Sequence, residues 1–355
     1  MQAATAEDAV VISFHDLFHR PETLHDSITK AFGSGPESLG IILVKDLPGY
    51  AVLRERLLLL ANQFASLPDA TKELYVDAKS NYSFGWSHGK EIMNDRPDLL
   101  KGSYYANPII DVPSVSDDLR QEFPEYYNNN IWPTQAEQGI EGFEQAFKAL
   151  GSFIFNVGCQ LAVACEAFAS PHLADLSVSL RSLIATSQTT KARLLHYFPR
   201  DGLSSVTPTA DGSIDSWCGF HLDHSLLTGL CSAMYIAHST DEPSSYEVIP
   251  SPSPESGLYI RTRGGTLTKI NIPADYLAFQ TGEALEQATE GRLRATPHCV
   301  RVGSSTANNS VSRETFAVFM QPDVTQAIGK CETFGTFSRR IFKEHYGEQA
   351  PTLPA

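Results

Sequence analysis

The feature that most constrains this chain is the succession of short β-type segments after Pro171. ARLLHYF, GLCSAMYI, GLYIRT, LTKINI, YLAFQT, TPHCVRV and TFAVFMQ follow one another, separated by stretches rich in Gly, Pro, Ser and Asn. A single such strand cannot bury a face by itself, and many of them with turns between make a sandwich or a barrel. The C-terminal half is therefore expected to be an all-β core. At 355 residues the chain is long enough for one large core or two small ones.

The N-terminal part has a different pattern. Residues 22–32 predict a polar helix stopped by Gly33. GIILVKDLPG (40–49) predicts a short buried strand closed by a Pro-Gly turn, and AVLRERLLLLANQFASLP (51–68) a helix ending before Pro68. Phe143, Phe147, Leu150, Ile154, Val157 and Leu161 recur at steps of four and three, a core-facing helical stripe. Residues 82–108, rich in Gly, Asn, Asp and aromatics, predict an ordered loop. FSRRIFKEHY near the end predicts one more helix. The expected organisation is a mainly β fold with flanking α: an α/β region over 1–170 packed on the core, the β core over 171–325, and a helix and tail over 326–355.

Charge narrows the partners. A net charge of −14 repels phosphate backbones and anionic membrane surfaces, so neither nucleic acid nor a membrane is expected, and a small molecule is. No unbroken apolar run reaches the ~20 residues of a membrane span. The opening MQAATAEDAVVISF lacks a basic then apolar leader, which points to the cytoplasm. Cys159, Cys165, Cys218, Cys231, Cys299 and Cys331 form no CxxC pair and read as reduced core thiols. There is no internal repeat or low-complexity tract.

The most informative segment is WCGFHLDHSLLTGLCSAMY (217–235). His221 and Asp223 are two apart, and on a strand such residues share a face. One imidazole and one carboxylate then project together, and His298 in ATPHCVRV supplies a third ligand from a separate predicted strand. Two histidines and one carboxylate on one side of a metal leave the other side open, the arrangement of non-haem Fe(II) oxygenases. A structural zinc site would be closed and usually sulfur-rich. HxD alone is a weak signal. It is strengthened by Arg313 and Thr315 in SRETFAVFMQP, again two apart on a predicted strand, where a guanidinium beside a hydroxyl suits a carboxylate held bidentately. A sugar-binding jelly roll with chance histidines leaves that pair unexplained.

At these residues the chain resembles the 2-oxoglutarate/Fe(II) dioxygenases, in particular the isopenicillin N synthase-like branch. HxD, a distal His and Arg-x-Ser/Thr are met by His221, Asp223, His298, Arg313 and Thr315, with threonine in place of the commoner serine. LLHYFP resembles the branch's strand that carries a tyrosine before a proline, which points to Tyr197, although Phe198 is the residue directly before Pro199. GIILVKDLPG with LPDATKELY resembles the branch's N-terminal region, and SFGWSHGKE with RPDLLKGSYYANP resembles a subgroup from plants and algae. GSSTANNSV (303–311) is longer than usual for the branch.

The resemblance implies a double-stranded β-helix (jelly-roll) core with Fe(II) held by His221, Asp223 and His298. It implies 2-oxoglutarate as cosubstrate, chelating the metal at one end and meeting Arg313, Thr315 and Tyr197 at the other, with dioxygen as second cosubstrate. The reaction implied is oxidative decarboxylation coupled to hydroxylation, desaturation or ring closure of a small molecule, amino-acid-derived or a secondary metabolite. Relatives are often monomers. Candidate substrate residues are Tyr82, Trp86, His88, Lys90, Tyr104 and Tyr105 in and after the aromatic loop, and Arg193, which shares a strand face with Tyr197. His224 and His238 are expected to be bystanders. Two other readings stay open: an oxidase of the isopenicillin N synthase type that uses no 2-oxoglutarate, and a metal-binding sensor without turnover.

Overall fold

The computed structural model describes residues 9–90, 92–93, 96–134, 138–173, 175–199, 216–238, 245–301, 310–329 and 332–346. Most of the 303–311 segment lies outside these, as do Cys331 and the Cys218 side chain. The N-terminal region contributes strands β1 (Val10–Ser13), β2 (Ile41–Lys45), β3 (Gly85–His88), β4 (Ile92–Met93), β5 (Arg96–Pro97) and β6 (Lys101–Ala106). After Pro171 come β7 (Lys191–Tyr197), β8 (Ser216–His221), β9 (Leu227–Cys231), β10 (Met234–His238) and β11 (Tyr246–Ile249). These are followed by β12 (Gly257–Arg261), β13 (Leu267–Ile270), β14 (Leu277–Thr281), β15 (His298–Arg301) and β16 (Ser310–Met320).

Among the described residues these strands form a large ten-stranded sheet, ordered β1-β2-β14-β9-β16-β7-β6-β3 with β10 and β11 attached through β16. A four-stranded sheet, β13-β12-β15-β8, faces it across a cavity. The two make a jelly-roll core. The expected β runs are all present, and the N-terminal region is woven into the large sheet, supplying strands at both of its ends.

Residues 82–108 are not the loop that their composition predicts. Their described parts include β3 and β6, and β6 pairs with β3 and with β7. Glycines and aromatics disguised this pairing, because they serve packing here: a Cβ on Gly102 would lie 2.1 Å from the Trp86 indole, so the ring needs a glycine beneath it.

Helices Tyr50–Ala65 and Phe143–Ala164 cover the outer face of the large sheet. The predicted stripe from Phe143 to Leu161 is buried there, with Phe147 edge-on to Phe316 at 5.0 Å. Helix Phe143–Ala164 is also long and apolar enough to cross a membrane by length and composition. The absence of an unbroken apolar run concealed this; in the structure its apolar side is core. The predicted 22–32 helix is a 3-10 turn over Pro21–Leu24 followed by an α-helix over His25–Phe32, and Phe334–Tyr346 is helical as expected. Cys159, Cys165 and Cys231 are free thiols.

Candidate active site

Strand β8 ends at His221 and β15 begins at His298, and the two residues are direct partners in the antiparallel register. Their rings lie 4.2 Å apart. Asp223 is beyond the end of β8, so strand alternation does not place it. The turn into β9 does. The backbone N–H of Glu283 donates to the Asp223 carbonyl at 2.7 Å, and that of Gly282 to Leu226 at 3.2 Å. A Cβ on Gly282 would approach the Ser225 carbonyl to 2.2 Å, so only glycine lets the turn dock this closely. As a result Asp223 Oδ1 is 3.8 Å from Nε2 of both His221 and His298. The three candidate ligand atoms lie within 4.8 Å of one another.

The groups around the triad prepare it for a cation. His298 Nδ1–H donates to the Thr296 carbonyl at 2.9 Å, which fixes the tautomer and leaves Nε2 as the lone-pair donor. Burial, and then the neighbouring His221, push His298 down to about 4, so the ring is neutral at ordinary pH. Burial pushes Asp223 up, but the two histidines and hydrogen bonds from Thr228 and Gln280 outweigh it and hold the carboxyl below its usual range. The site therefore offers one carboxylate oxygen and two imidazole nitrogens, a donor set suited to Fe(II) with open positions.

Gln280 and Thr228 did not emerge from the sequence. They are cross-strand partners on β14 and β9. The Gln280 Nε2–H donates to Asp223 Oδ2 at 2.7 Å, and the same nitrogen is 3.1 Å from His298 Nε2. The available signal was a lone amide in the otherwise apolar run YLAFQT.

The other end of the cavity is built on β16. Arg313 pairs in register with Tyr197 of β7 on one side and Tyr235 of β10 on the other. Its guanidinium carbon sits 4.9 Å from the centre of the Tyr197 ring, a cation–π contact. Thr315 Oγ1 donates to the Cys231 carbonyl at 3.2 Å. All six predicted core-site residues, His221, Asp223, His298, Arg313, Thr315 and Tyr197, line one cavity of about 410 Å³.

Of the candidate substrate residues, Arg193 lines that cavity, its Nε–H donating to Ser103 Oγ at 3.0 Å and its guanidinium 5.1 Å from the Tyr105 ring. Tyr82, Trp86, His88, Lys90, Tyr104 and Tyr105 are not among the cavity's lining residues. Trp86 and Tyr104 are core: Trp86 packs at 5.2 Å from Phe64, and the Tyr104 hydroxyl donates to Ile131 at 2.6 Å. His88 Nε2 meets the Leu99 carbonyl at 3.1 Å, and the Lys90 ammonium lies over Tyr82 at 5.4 Å. These residues lie in and around β3 and β6 at the far edge of the sheet. His224 faces Glu283 at 3.6 Å, and His238 meets Asn62 at 3.0 Å.

No protein-family model and no curated protein sequence matches the chain. Solved structures do match. A full-length Neurospora crassa protein in complex with alpha-KG and 5-formyluracil is similar with a TM-score of 0.64 at 19% identity, over 92% of this chain and 89% of that one. A protein of Caulobacter crescentus assigned to the 2OG-Fe(II) oxygenase family is similar with a TM-score of 0.65 at 18% identity, over 96% and 100%. The rice dioxygenase for auxin oxidation is similar with a TM-score of 0.57 at 13% identity, over 97% of each chain. The chain thus has the fold of the 2-oxoglutarate/Fe(II) oxygenases along nearly its whole length.

Proposed function

We propose that this protein is an Fe(II)- and 2-oxoglutarate-dependent oxygenase acting on a C–H bond of a small molecule. The observation that carries the reading is the convergence of Asp223 Oδ1 and two imidazole Nε2 atoms in the same cavity as the Arg313–Thr315 pair. His221, Asp223 and His298 would hold the metal. Bound there with 2-oxoglutarate and dioxygen, it supplies oxidative decarboxylation of the cosubstrate to succinate and carbon dioxide, coupled to substrate oxidation. Arg313, braced by the Tyr197 ring, offers its fork to the distal carboxylate, and the Thr315 hydroxyl adds a further contact there. Burial of Arg313 and Thr315 excludes water from that contact and strengthens it.

Neighbours of this fold are named for ligands as different as 5-formyluracil and auxin, so the fold does not choose the substrate. Arg193 on the cavity wall supports a substrate with an acidic group, of amino-acid-derived or secondary-metabolite type. Membership of the isopenicillin N synthase-like branch is part of the proposal. In the variant of it that uses no 2-oxoglutarate, the arginine pair would hold a substrate carboxylate. Anaerobic titration of the Fe(II)-loaded protein with 2-oxoglutarate separates the two. A weak visible charge-transfer band that saturates is the expected result. Iron binding without the band transfers the reading to the cosubstrate-free oxidase, and absence of iron binding overturns both.

A further inference from the structure

Gln280 sits at the centre of the site with one half of its amide engaged and the other half not. The residue is 1% exposed. Its Nε2 donates to Asp223 Oδ2 at 2.7 Å and lies 3.1 Å from His298 Nε2. Its Oε1 is buried without a hydrogen-bond partner among the described residues. A buried amide oxygen left without a donor is unfavourable, so something must compel this orientation. Turning the amide over would set its oxygen against the Asp223 carboxylate, two acceptors at hydrogen-bond distance. The carboxylate therefore dictates which way the amide points.

The two oxygens of Asp223 are consequently unequal. Oδ2 is tied to Gln280, whereas Oδ1 is equidistant, at 3.8 Å, from Nε2 of His221 and of His298. The amide nitrogen also lies 3.2 Å from His298 Nδ1 and 3.1 Å from its Nε2, nearly equidistant from the two ring nitrogens, so its directed hydrogen bond is the one to Oδ2. A cation entering between Oδ1 and the two Nε2 atoms leaves the bond from Gln280 to Oδ2 intact.

We propose that Gln280 is a positioning residue that restricts Asp223 to coordination through one oxygen. The inference rests on the metal reading given above. A carboxylate bound through both oxygens would fill one of the open positions that two cosubstrates need. Holding Oδ2 from outside keeps that position open without adding a ligand.

The test compares Fe(II) affinity and the visible d–d absorption of Co(II)-loaded protein, whose intensity follows coordination number, in wild type and Gln280→Met. Methionine keeps the bulk of the side chain and removes both N–H donors. The expected result is Fe(II) binding weakened ~10–100-fold, as is usual when an outer partner of a ligand is lost, together with a changed Co(II) spectrum. Gln280→Asn, which retains the amide but withdraws it from Oδ2, is expected to behave the same way and covers a folding failure of the methionine variant. Unchanged affinity and spectrum overturn the proposal. Weaker binding with an unchanged spectrum also overturns it, because Gln280 would then only stabilise the charge of Asp223. Wild-type protein that fails to bind Fe(II) removes the metal reading itself, a result distinct from either.

Discussion

Two residue pairs with the same i, i+2 spacing stand at the two ends of one cavity, and they reach it by different means. Arg313 and Thr315 lie inside β16, an 11-residue strand hydrogen-bonded to β7, β9 and β10. Their outward-facing neighbours Ser312 and Glu314 enter a buried polar cluster behind the sheet. There Glu314 accepts from His196 Nδ1 at 2.9 Å, from Ser312 Oγ at 2.7 Å and from Asn62 Nδ2 at 3.2 Å. The metal end has no such regularity. β8 is an edge strand that stops at His221, whose side chain is 39% exposed, and Asp223 hangs from the turn beyond. Inside a strand the backbone ladder aims the side chains. Past its end, neighbouring side chains and turn contacts must, which is why Gln280, Thr228 and Gly282 cluster around Asp223.

The contrast predicts separable failures. The largest effect is at the metal end: Asp223→Ala or His298→Ala should weaken Fe(II) binding by more than the ~100-fold typical of losing an outer partner and abolish turnover. The unfolding midpoint of the metal-free protein should stay near wild type. Full activity in either variant would refute the ligand assignment. Next, Arg313→Ala should weaken 2-oxoglutarate binding by ~2–5 kcal/mol, the cost of truncating one side of a buried charged pair. Iron affinity measured in the same protein should not move; an unchanged cosubstrate requirement sinks the role of Arg313.

The smallest effect lies behind the sheet. Asn62→Ala removes a donor to Glu314 and to His238 and should cost ~1–3 kcal/mol of folding stability without altering the metal spectrum. His238 gives this cluster a pH signature. Burial, then the nearby His196, push it below its ordinary 6.5, although Glu314 pulls the other way. A depressed folded pKa means that the contribution is complete above 6.5 and is lost as pH falls below that value towards the folded pKa. Thermal unfolding followed between about pH 7 and about pH 5 should show this decline, and His238→Gln should flatten it; an identical slope in the variant would remove His238 as its source.

Much of this was legible in the chain. The β runs after Pro171 and the stripe on Phe143–Ala164 could be read because periodicity encodes which face is buried. The six residues of the two cavity ends could be read because their chemistry is rare in combination. The pairing of β3 and β6 was not, since its glycines and aromatics carry the composition of a loop while answering a packing need visible only when Trp86 lies over Gly102. Of the aromatic residues singled out there, Trp86 and Tyr104 pack in the core, and Tyr105 lies against the Arg193 guanidinium.

By itself the sequence determined which residue types stand at the two ends of the cavity and the alternation that turns Arg313 and Thr315 to one side, because these follow from covalent identity and a period of two. Only the tertiary structure decided which oxygen of Asp223 faces the histidines. It also decided that His221 and His298 meet across a strand pair, and that Gln280 stands behind them. Those outcomes depend on contacts between segments far apart in the chain, where local pattern carries no information about distance.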